Sequence, residues 1–469
     1  MYKLDFNNPI SVHFIGIGGI SMSGLAELLH TNGFTITGSD WHESHITKHL
    51  ESLGIRVVYG QHAENITNAI DLVVYTAAVK EDNPEYQAVL AAGIPLMDRA
   101  ELLGQIMLQY RNAVAVSGTH GKTTTTSMLS LMMLEGNLDP TISVGGILDA
   151  IHGNMRIGHS GNFITEACEY TNSFLKFHPT SEIILNIEAE HLDFFRDLDD
   201  IRHSFRLFAK ELPKDGNLVI NGEIENWREI VSDLDCNIMT YGICKEPVDL
   251  TNPPKDYTYA AANVAFDEFG HGTYDLIRNG AFVTRIRLNV VGIHNVSNSL
   301  PAIALADTFG VSMEQIQSAL LQFTGTERRF EHKGTVGGVE IIDDYAHHPT
   351  EIKATLTAAQ KYPHRDLWCV FQPHTYSRTK LLFPDFVEAL SLADKVVLAD
   401  IYAAREADPG DISSEDLKNA LTERGKEAYY FKSFDEIEAF LLQNLTNGDL
   451  LITMGAGDIV SVGEALLGA

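Results

Sequence analysis

A short apolar run, Ala113-Val114-Ala115-Val116, leads straight into Ser117-Gly-Thr-His-Gly-Lys-Thr-Thr-Thr-Thr126. A strand, a glycine turn and a lysine-started helix in that order leave few folds open. They call for a parallel α/β sheet with an anion-binding loop at the carboxyl end of one strand. The turn lets the backbone N–H groups of Gly118, Thr119, His120 and Gly121 face anionic oxygens, and the helix adds its positive end. Lys122 supplies a point charge for the β- and γ-phosphates, and the hydroxyl of Thr123, followed by Thr124, is a ligand type for Mg²⁺. Val116 stands where the first glycine of the usual Gly-x-x-x-x-Gly-Lys-[Ser/Thr] loop belongs. The plainer alternative is a capped strand-to-helix turn with a surface lysine. The order of the elements favours a nucleoside triphosphate.

A chain of 469 residues is too long for one core, and about three domains are expected. With 34 Lys and Arg against 63 Asp and Glu, its formal charge is −29. So acidic a surface argues against nucleic-acid or anionic-membrane partners, because phosphate neutralisation needs clustered cations. Four scattered cysteines (Cys168, Cys236, Cys244, Cys369) form no Cys-x-x-Cys pair, so a reducing compartment is expected. No apolar stretch approaches the roughly twenty residues a membrane span needs, and no signal-like N-terminus is present. These features imply a cytoplasmic protein; a monomer or weak homodimer is expected.

Strand and helix alternate from the start. Ser11–Ile15 reads as a strand, Gly16 to Gly24 as a glycine turn, Leu25–His30 as a helix and Thr35–Asp40 as the next strand, a doubly wound parallel pattern. The chain divides into 1–110, 111–325 and 326–469. The central unit carries strands at 162–166, 183–187 and 217–221, helices at 122–135 and 199–211, antiparallel strands within 256–291 and a helix at 295–308. After a hinge at 324–330, the third unit carries strands at 339–343, 367–371, 395–399 and 449–453, with helices at 349–361 and 380–392.

The glycine turn of Gly16, Gly18 and Gly19, with Ser39 and Asp40 ending the next strand, resembles a dinucleotide fingerprint. Ser21 replaces its third glycine, which weakens a case for NAD but leaves a cradle for other pyrophosphates. An oxidoreductase built on this turn is the rival from another class. Glu166 ends a strand where it can share Mg²⁺ with Thr123. His191 follows another strand end and reads equally well as a metal ligand or a hydrogen-bonded structural histidine, with Glu169, Glu188 and Glu190 competing. His294, Asn295 and Asn298 open an apolar helix, either as its cap or facing an adenine edge. Two polar clusters, Asp343 to Pro349 and Gln372 to Arg378, follow strand ends and suggest a pocket. Tyr345, His347 and His348 stand in the first, where the double histidine can instead be a helix-start network. Arg378 offers a carboxylate clamp suited to an amino acid.

Together, Phe14–Ala26, Gly38–Asp40, Ser117–Thr126, Glu188–Asp193, Gly292–Asn298, Arg328–Glu331, Asp343–Pro349 and Asp400–Glu406 resemble one family, the ATP-dependent Mur ligases of peptidoglycan synthesis. The resemblance spans the chain. It implies an N-terminal Rossmann-like parallel sheet for a UDP-sugar, a central P-loop ATPase-like mixed sheet and a C-terminal Rossmann-like α/β domain for an amino acid. It also implies ATP and Mg²⁺ as cofactors, and UDP-N-acetylmuramate and L-alanine as substrates. Glu166 and His191 match the family's metal ligands, and His294, Asn295 and Asn298 match its adenine-contacting motif. Arg329 and Asp344 match residues that reach ATP from the C-terminal domain. A sister ligase that adds a preformed peptide to the same sugar stays open. Glu166-Ala-Cys-Glu-Tyr-Thr171 lacks the acidic Asp positions of many relatives, and Thr375 replaces an arginine. Arg202 and Arg206 occupy the region where other members carry a carbamylated lysine, so no carbamate is expected.

Overall fold

The computed structural model describes residues 2–468 except Ala77, Asp193 and Arg405. Asp193 and Arg405, members of the 188–193 and 400–406 motifs, thus lie outside the described residues. Among the described residues the chain forms three sheets. The first is wholly parallel, in the order Arg56–Tyr59, Thr35–Asp40, Ser11–Ile15, Leu72–Tyr75, Leu96–Asp98. Winding reverses at Ser11–Ile15, so the glycine turn opens at the switch point of the sheet. Val12, Phe14 and Ile15 are all fully buried, as expected where helices cover both faces. The turn is shorter than the sequence suggests, because the helix begins at Ile20 (Ile20–Thr31). Gly24 is therefore a helix residue, and its smallness serves packing: a Cβ there would lie 3.0 Å from Met155.

The central sheet is mixed. Its order is Ala281–Val291, His271–Arg278, Tyr259–Phe266, Asn237–Ile243, Asn217–Asn221, Ser181–Ile184, Asn112–Ser117, Asn162–Ala167, Thr141–Leu148, Gly153–Arg156. The strands from Tyr259–Phe266 to Thr141–Leu148 pair in parallel. Antiparallel pairing adds His271–Arg278, Ala281–Val291 and, at the other edge, Gly153–Arg156. Asn112–Ser117 lies between Ser181–Ile184 and Asn162–Ala167, at a second switch point, and the phosphate loop emerges there into the helix Lys122–Glu135. Thr141–Leu148, Gly153–Arg156 and Asn237–Ile243 carry no clear strand signal; Gly145 and Gly146 interrupt the first of them.

In the third sheet the order is Glu331–Val336, Val339–Asp344, Leu450–Met454, Leu367–Phe371, Lys395–Leu398, Glu427–Tyr430, parallel except for the first strand. The helix expected at 380–392 is two helices, Tyr376–Leu381 and Phe383–Leu390. The two polar clusters are not adjacent, since Leu450–Met454 separates their strands. They approach across it because glycine follows: a Cβ on Gly455 would lie 2.8 Å from the Gln372 carbonyl oxygen. No helix among the described residues is long and apolar enough to cross a membrane.

Candidate active site at the phosphate-binding loop

The loop is clamped from the neighbouring strand end. Asn186 accepts from the His120 N–H (2.8 Å) and donates to the His120 carbonyl (3.0 Å), and its own carbonyl accepts from Thr119 N–H (3.2 Å). Gly121 caps the helix at φ +85°, and a Cβ there would stand 2.5 Å from Asn298 Oδ1. Left-handed backbone and lack of space both require glycine. Lys122 folds back, donating to the Gly118 and Thr119 carbonyls and to Glu169 Oε2 at 3.2 Å. Burial works against its charge, but Glu169 and Glu166 hold its pKa above the usual range.

Glu166 lies against the Thr123 hydroxyl and accepts from Gly145 N–H at 2.5 Å. Burial raises its pKa despite Gly145, Thr123, Lys122 and Arg329, so the carboxylate lacks a full counter-charge. A hydroxyl and a buried carboxylate are hard oxygen donors, and the pair fits Mg²⁺. Glu169 Oε1 has no hydrogen-bond partner among the described residues and stands 4.0 Å from His191 Nε2. His191, at φ +55°, packs on the Tyr170 ring with centroids 4.5 Å apart. Burial lowers its pKa, which keeps the imidazole neutral and able to donate a lone pair. His120, Glu190 and His348 also bring ligand-type atoms within 4.8 Å of one another. Burial opposes the His120 charge, but Glu351 and Glu188 push its pKa up to about 9; the ring is a cation paired with those two acids.

A cavity of about 260 Å³ lies between the loop and the C-terminal unit. It gathers His120, Gly121, Thr123, Thr124, His294, Asn295, Asn298, Arg329 and Asp344, all singled out by sequence. Asn186, Asn221, Tyr241 and Glu351 also line it. The helix Ile293–Thr308 takes Gly292 as cap without any side-chain cap bond, so the capping alternative for His294 and Asn295 fails. Asn295 instead donates to Val291 O (2.8 Å) and accepts from Asn298 (3.2 Å). Burial and the nearby Arg329 push His294 down to about 4, leaving it neutral. Asp344 borders the cavity, yet both its oxygens are committed, to the N–H groups of Phe330 and Ala346 at 2.8 Å each. Burial pushes it up to about 6. These two bonds tie it to the Arg329 loop while it faces the cavity.

Glu351 went unnoticed in the sequence. Its carboxylate stands 3.2 Å from His120 Nδ1, 3.5 Å from Arg329 Nη1 and 3.2 Å from the His347 N–H. Tyr345 lies under both Arg328 and Arg329, whose guanidinium carbons are 5.0 and 5.4 Å from its ring centroid. An acid in the first turn after a proline reads as an ordinary helix-start charge. Only the tertiary contact reveals more.

A larger cavity, about 980 Å³, is lined by Tyr170, Glu190, His191, His374 and Arg378 among others. Arg378 is not the open clamp the sequence suggests. Its Nε and Nη2 both lie on Glu190 Oε1, at 3.1 and 2.7 Å, and Nη1 donates to His374 Nδ1 at 3.2 Å. Burial opposes the Glu190 charge, but Arg378 and the neighbouring histidines hold it down at about 2. His348 caps the helix Pro349–Ala359 by accepting from Thr350 N–H, so the helix-start alternative holds for it.

At the first glycine turn, the Ser39 carbonyl accepts from the N–H groups of Gly16 and Ile17, and Asp40 accepts from Gly18 N–H at 2.8 Å. Gly19 N–H closes the turn onto the Gly16 carbonyl. The Ser39 hydroxyl points inward instead, donating to the buried Glu85 at 2.6 Å. Ser39 thus supports the turn through its carbonyl, with its hydroxyl held by Glu85. Arg99, also overlooked, reaches Ser21 Oγ at 3.3 Å and has no carboxylate within 4 Å among the described residues.

A phosphate-binding loop of the central unit that faces the C-terminal α/β unit across a cavity is the arrangement of a nucleotide-dependent enzyme. Family models agree along the chain: "Mur ligase family, catalytic domain" at 11–111, "Mur ligase middle domain" at 116–306 and "Mur ligase, glutamate ligase domain" at 328–457. The chain belongs to the Mur ligase family, a family of ATP-dependent ligases. It is 66% identical over 467 residues, covering 100% of both chains, to the UDP-N-acetylmuramate–L-alanine ligase of Lachnoclostridium phytofermentans. The crystal structure of UDP-N-acetylmuramate-alanine ligase from Thermotoga maritima is similar at TM-score 0.80 and 29% identity, with 98% of each chain covered. A murein peptide ligase from Psychrobacter arcticus is similar at TM-score 0.70 and 25% identity, again with 98% of each covered.

Proposed function

We propose that this chain joins L-alanine to the carboxylate of UDP-N-acetylmuramate at the expense of ATP, through an acyl phosphate, in cytoplasmic assembly of peptidoglycan precursors. The observation that carries the reading is the meeting of the phosphate loop with the Arg329–Glu351 junction and the His347–Arg378 cluster at one site. Residues 1–110 hold the UDP-sugar, on the turn Gly16–Gly19 and Arg99; residues 111–325 hold ATP; residues 326–469 receive the amino acid. Gly118–Thr124 cradle the phosphates, and His294, Asn295 and Asn298 border the adenine.

The sugar carboxylate attacks the γ-phosphorus in line, and ADP leaves. Phosphoryl transfer asks chiefly for positioning and charge neutralisation, which Lys122 and Arg329 supply. Thr123 and Glu166, with His191, would hold Mg²⁺, which when bound offsets the charge of the phosphates. The alanine amine then displaces phosphate from the acyl carbon. Burial of the junction keeps water from the acyl phosphate. The test is phosphate release from ATP with UDP-N-acetylmuramate, comparing alanine, glycine, serine and a tripeptide. Alanine-dependent release is expected. Release that depends on the tripeptide and not on alanine would select the sister reaction.

A further inference from the structure

Three histidines of the C-terminal unit gather near Arg378 and Glu190, and their ring partners fix different tautomers. The Thr350 N–H approaches His348 Nδ1 at 3.3 Å. A backbone N–H only donates, so Nδ1 holds the lone pair and Nε2 the proton, 3.7 Å from Glu190. Arg378 Nη1 does the same to His374 Nδ1 at 3.2 Å. His347 is the reverse. Its Nδ1 lies 3.0 Å from the Tyr345 carbonyl oxygen, which only accepts. The proton therefore sits on Nδ1, and the lone pair on Nε2 has no protein hydrogen bond among the described residues.

We infer that His347 Nε2 is the base that takes a proton from the alanine ammonium group, while His348 caps its helix and His374 orients Arg378. The inference rests on the ligase reading above. The surroundings suit a transient imidazolium: Glu351 stands 3.4 Å from His347 Nδ1 and Glu190 favours the charge, while Arg378 opposes it; Tyr345 and His374 complete the shell. Burial lowers the His347 pKa, so the ring is neutral before the step. One ammonium proton moves to Nε2, and the freed lone pair forms the C–N bond at the acyl carbon. The C–O bond to phosphate then breaks, phosphate leaves with that electron pair, and the second amine proton passes to water.

The experiment compares His347→Asn with His348→Asn in the full chain. Asparagine at 347 can still donate to the Tyr345 carbonyl but has nothing at the Nε2 position. Two acceptors are used, alanine and hydroxylamine, the latter being a neutral nucleophile at pH 7 that traps the acyl phosphate as a hydroxamate. His347→Asn is expected to lower kcat/KM for alanine about 10²-fold at neutral pH. The deficit should shrink as pH rises and be absent with hydroxylamine. His348→Asn should keep the wild-type shape of the pH profile for alanine, whatever its overall rate. A wild-type pH profile in His347→Asn, equal losses with both acceptors, or the predicted pattern in His348→Asn would each overturn the assignment. His347→Gln replaces the variant if thermal melting shows His347→Asn misfolded. If the wild-type enzyme itself forms neither amide nor hydroxamate, the ligase reading fails, and not the choice of base.

Discussion

Glu351→Gln keeps shape and hydrogen-bonding atoms while removing one buried charge, and its effect can be worked out from His120. The acid lies 3.2 Å from His120 Nδ1 and, with Glu188, lifts that ring from its usual 6.5 to about 9. A rise of that size is on the order of 3 kcal/mol of interaction favouring the charged ring, shared between the two carboxylates. Because the folded pKa is the higher one, this stability is fully present below about pH 6.5 and is lost as pH rises through about 9. The variant should lower the melting temperature at pH 6–7 by several degrees and flatten its decline between pH 7 and 10. His120→Asn should produce the same flattening, and the double variant should be no worse than the more damaged single one. Melting temperature against pH for the four proteins is the assay. An unchanged slope in Glu351→Gln, or strictly additive losses, would refute the claim that this acid holds the phosphate loop to the C-terminal unit.

Lys122→Ala should abolish ATP-dependent phosphate release while UDP-sugar binding, measured by calorimetry, stays near wild type; substantial residual ligation would sink the mechanism. Gly121→Ala forces a left-handed residue, at about 1–2 kcal/mol, and a clash with Asn298 besides. Its ATP affinity should fall by an order of magnitude or more in a titration with a non-hydrolysable analogue. Ser39→Ala strips one partner from buried Glu85 and should cost about 1–3 kcal/mol of stability, seen as a lower melting temperature. Lost UDP-sugar affinity without lost stability would show that the hydroxyl faces ligand after all.

How much of this was legible in the sequence depends on the range of the interactions. The strand Thr35–Asp40 and the helices Lys122–Glu135 and Pro349–Ala359 were readable because local apolar periodicity and caps decide them. The strand Thr141–Leu148 was not, because Gly145 is kept small by the Glu166 carboxylate, 2.8 Å from where a Cβ would be. There a site requirement overrides propensity. About half of the residues around the cavity at the loop were named, since glycine, lysine and asparagine at those spacings carry their chemistry with them. Their bonding states were not. Arg378 reads as a free clamp, yet Glu190 engages it. Asp344 and Ser39 read as ligand-side residues, and their bonds to the Phe330 and Ala346 N–H groups and to Glu85 are not legible from spacing.

The same distinction explains the electrostatics of the junction. The chain carries a formal charge of −29, yet Lys122, His120, Arg329 and Arg378 all converge on the phosphate side. Uncompensated, such buried cations would be costly. Each unit lends an acid to the other: Glu190 of the central unit takes Arg378 and lies near His348, and Glu351 of the C-terminal unit takes His120 while also pairing with Arg329 of its own unit. The pairing is reciprocal, so Glu190 and Glu351 tie the two units together and hold Arg378 and His120 in place. Phosphate oxygens arriving at the loop compete with those acids for the same cations. Binding energy is then realised where charge is transferred, in a site whose positive groups are already in place. Composition reports a uniformly acidic protein. What makes it a phosphate-handling site is which acids are set against which bases, and the contacts that join the two units span 188 positions for Arg378–Glu190 and 231 for His120–Glu351.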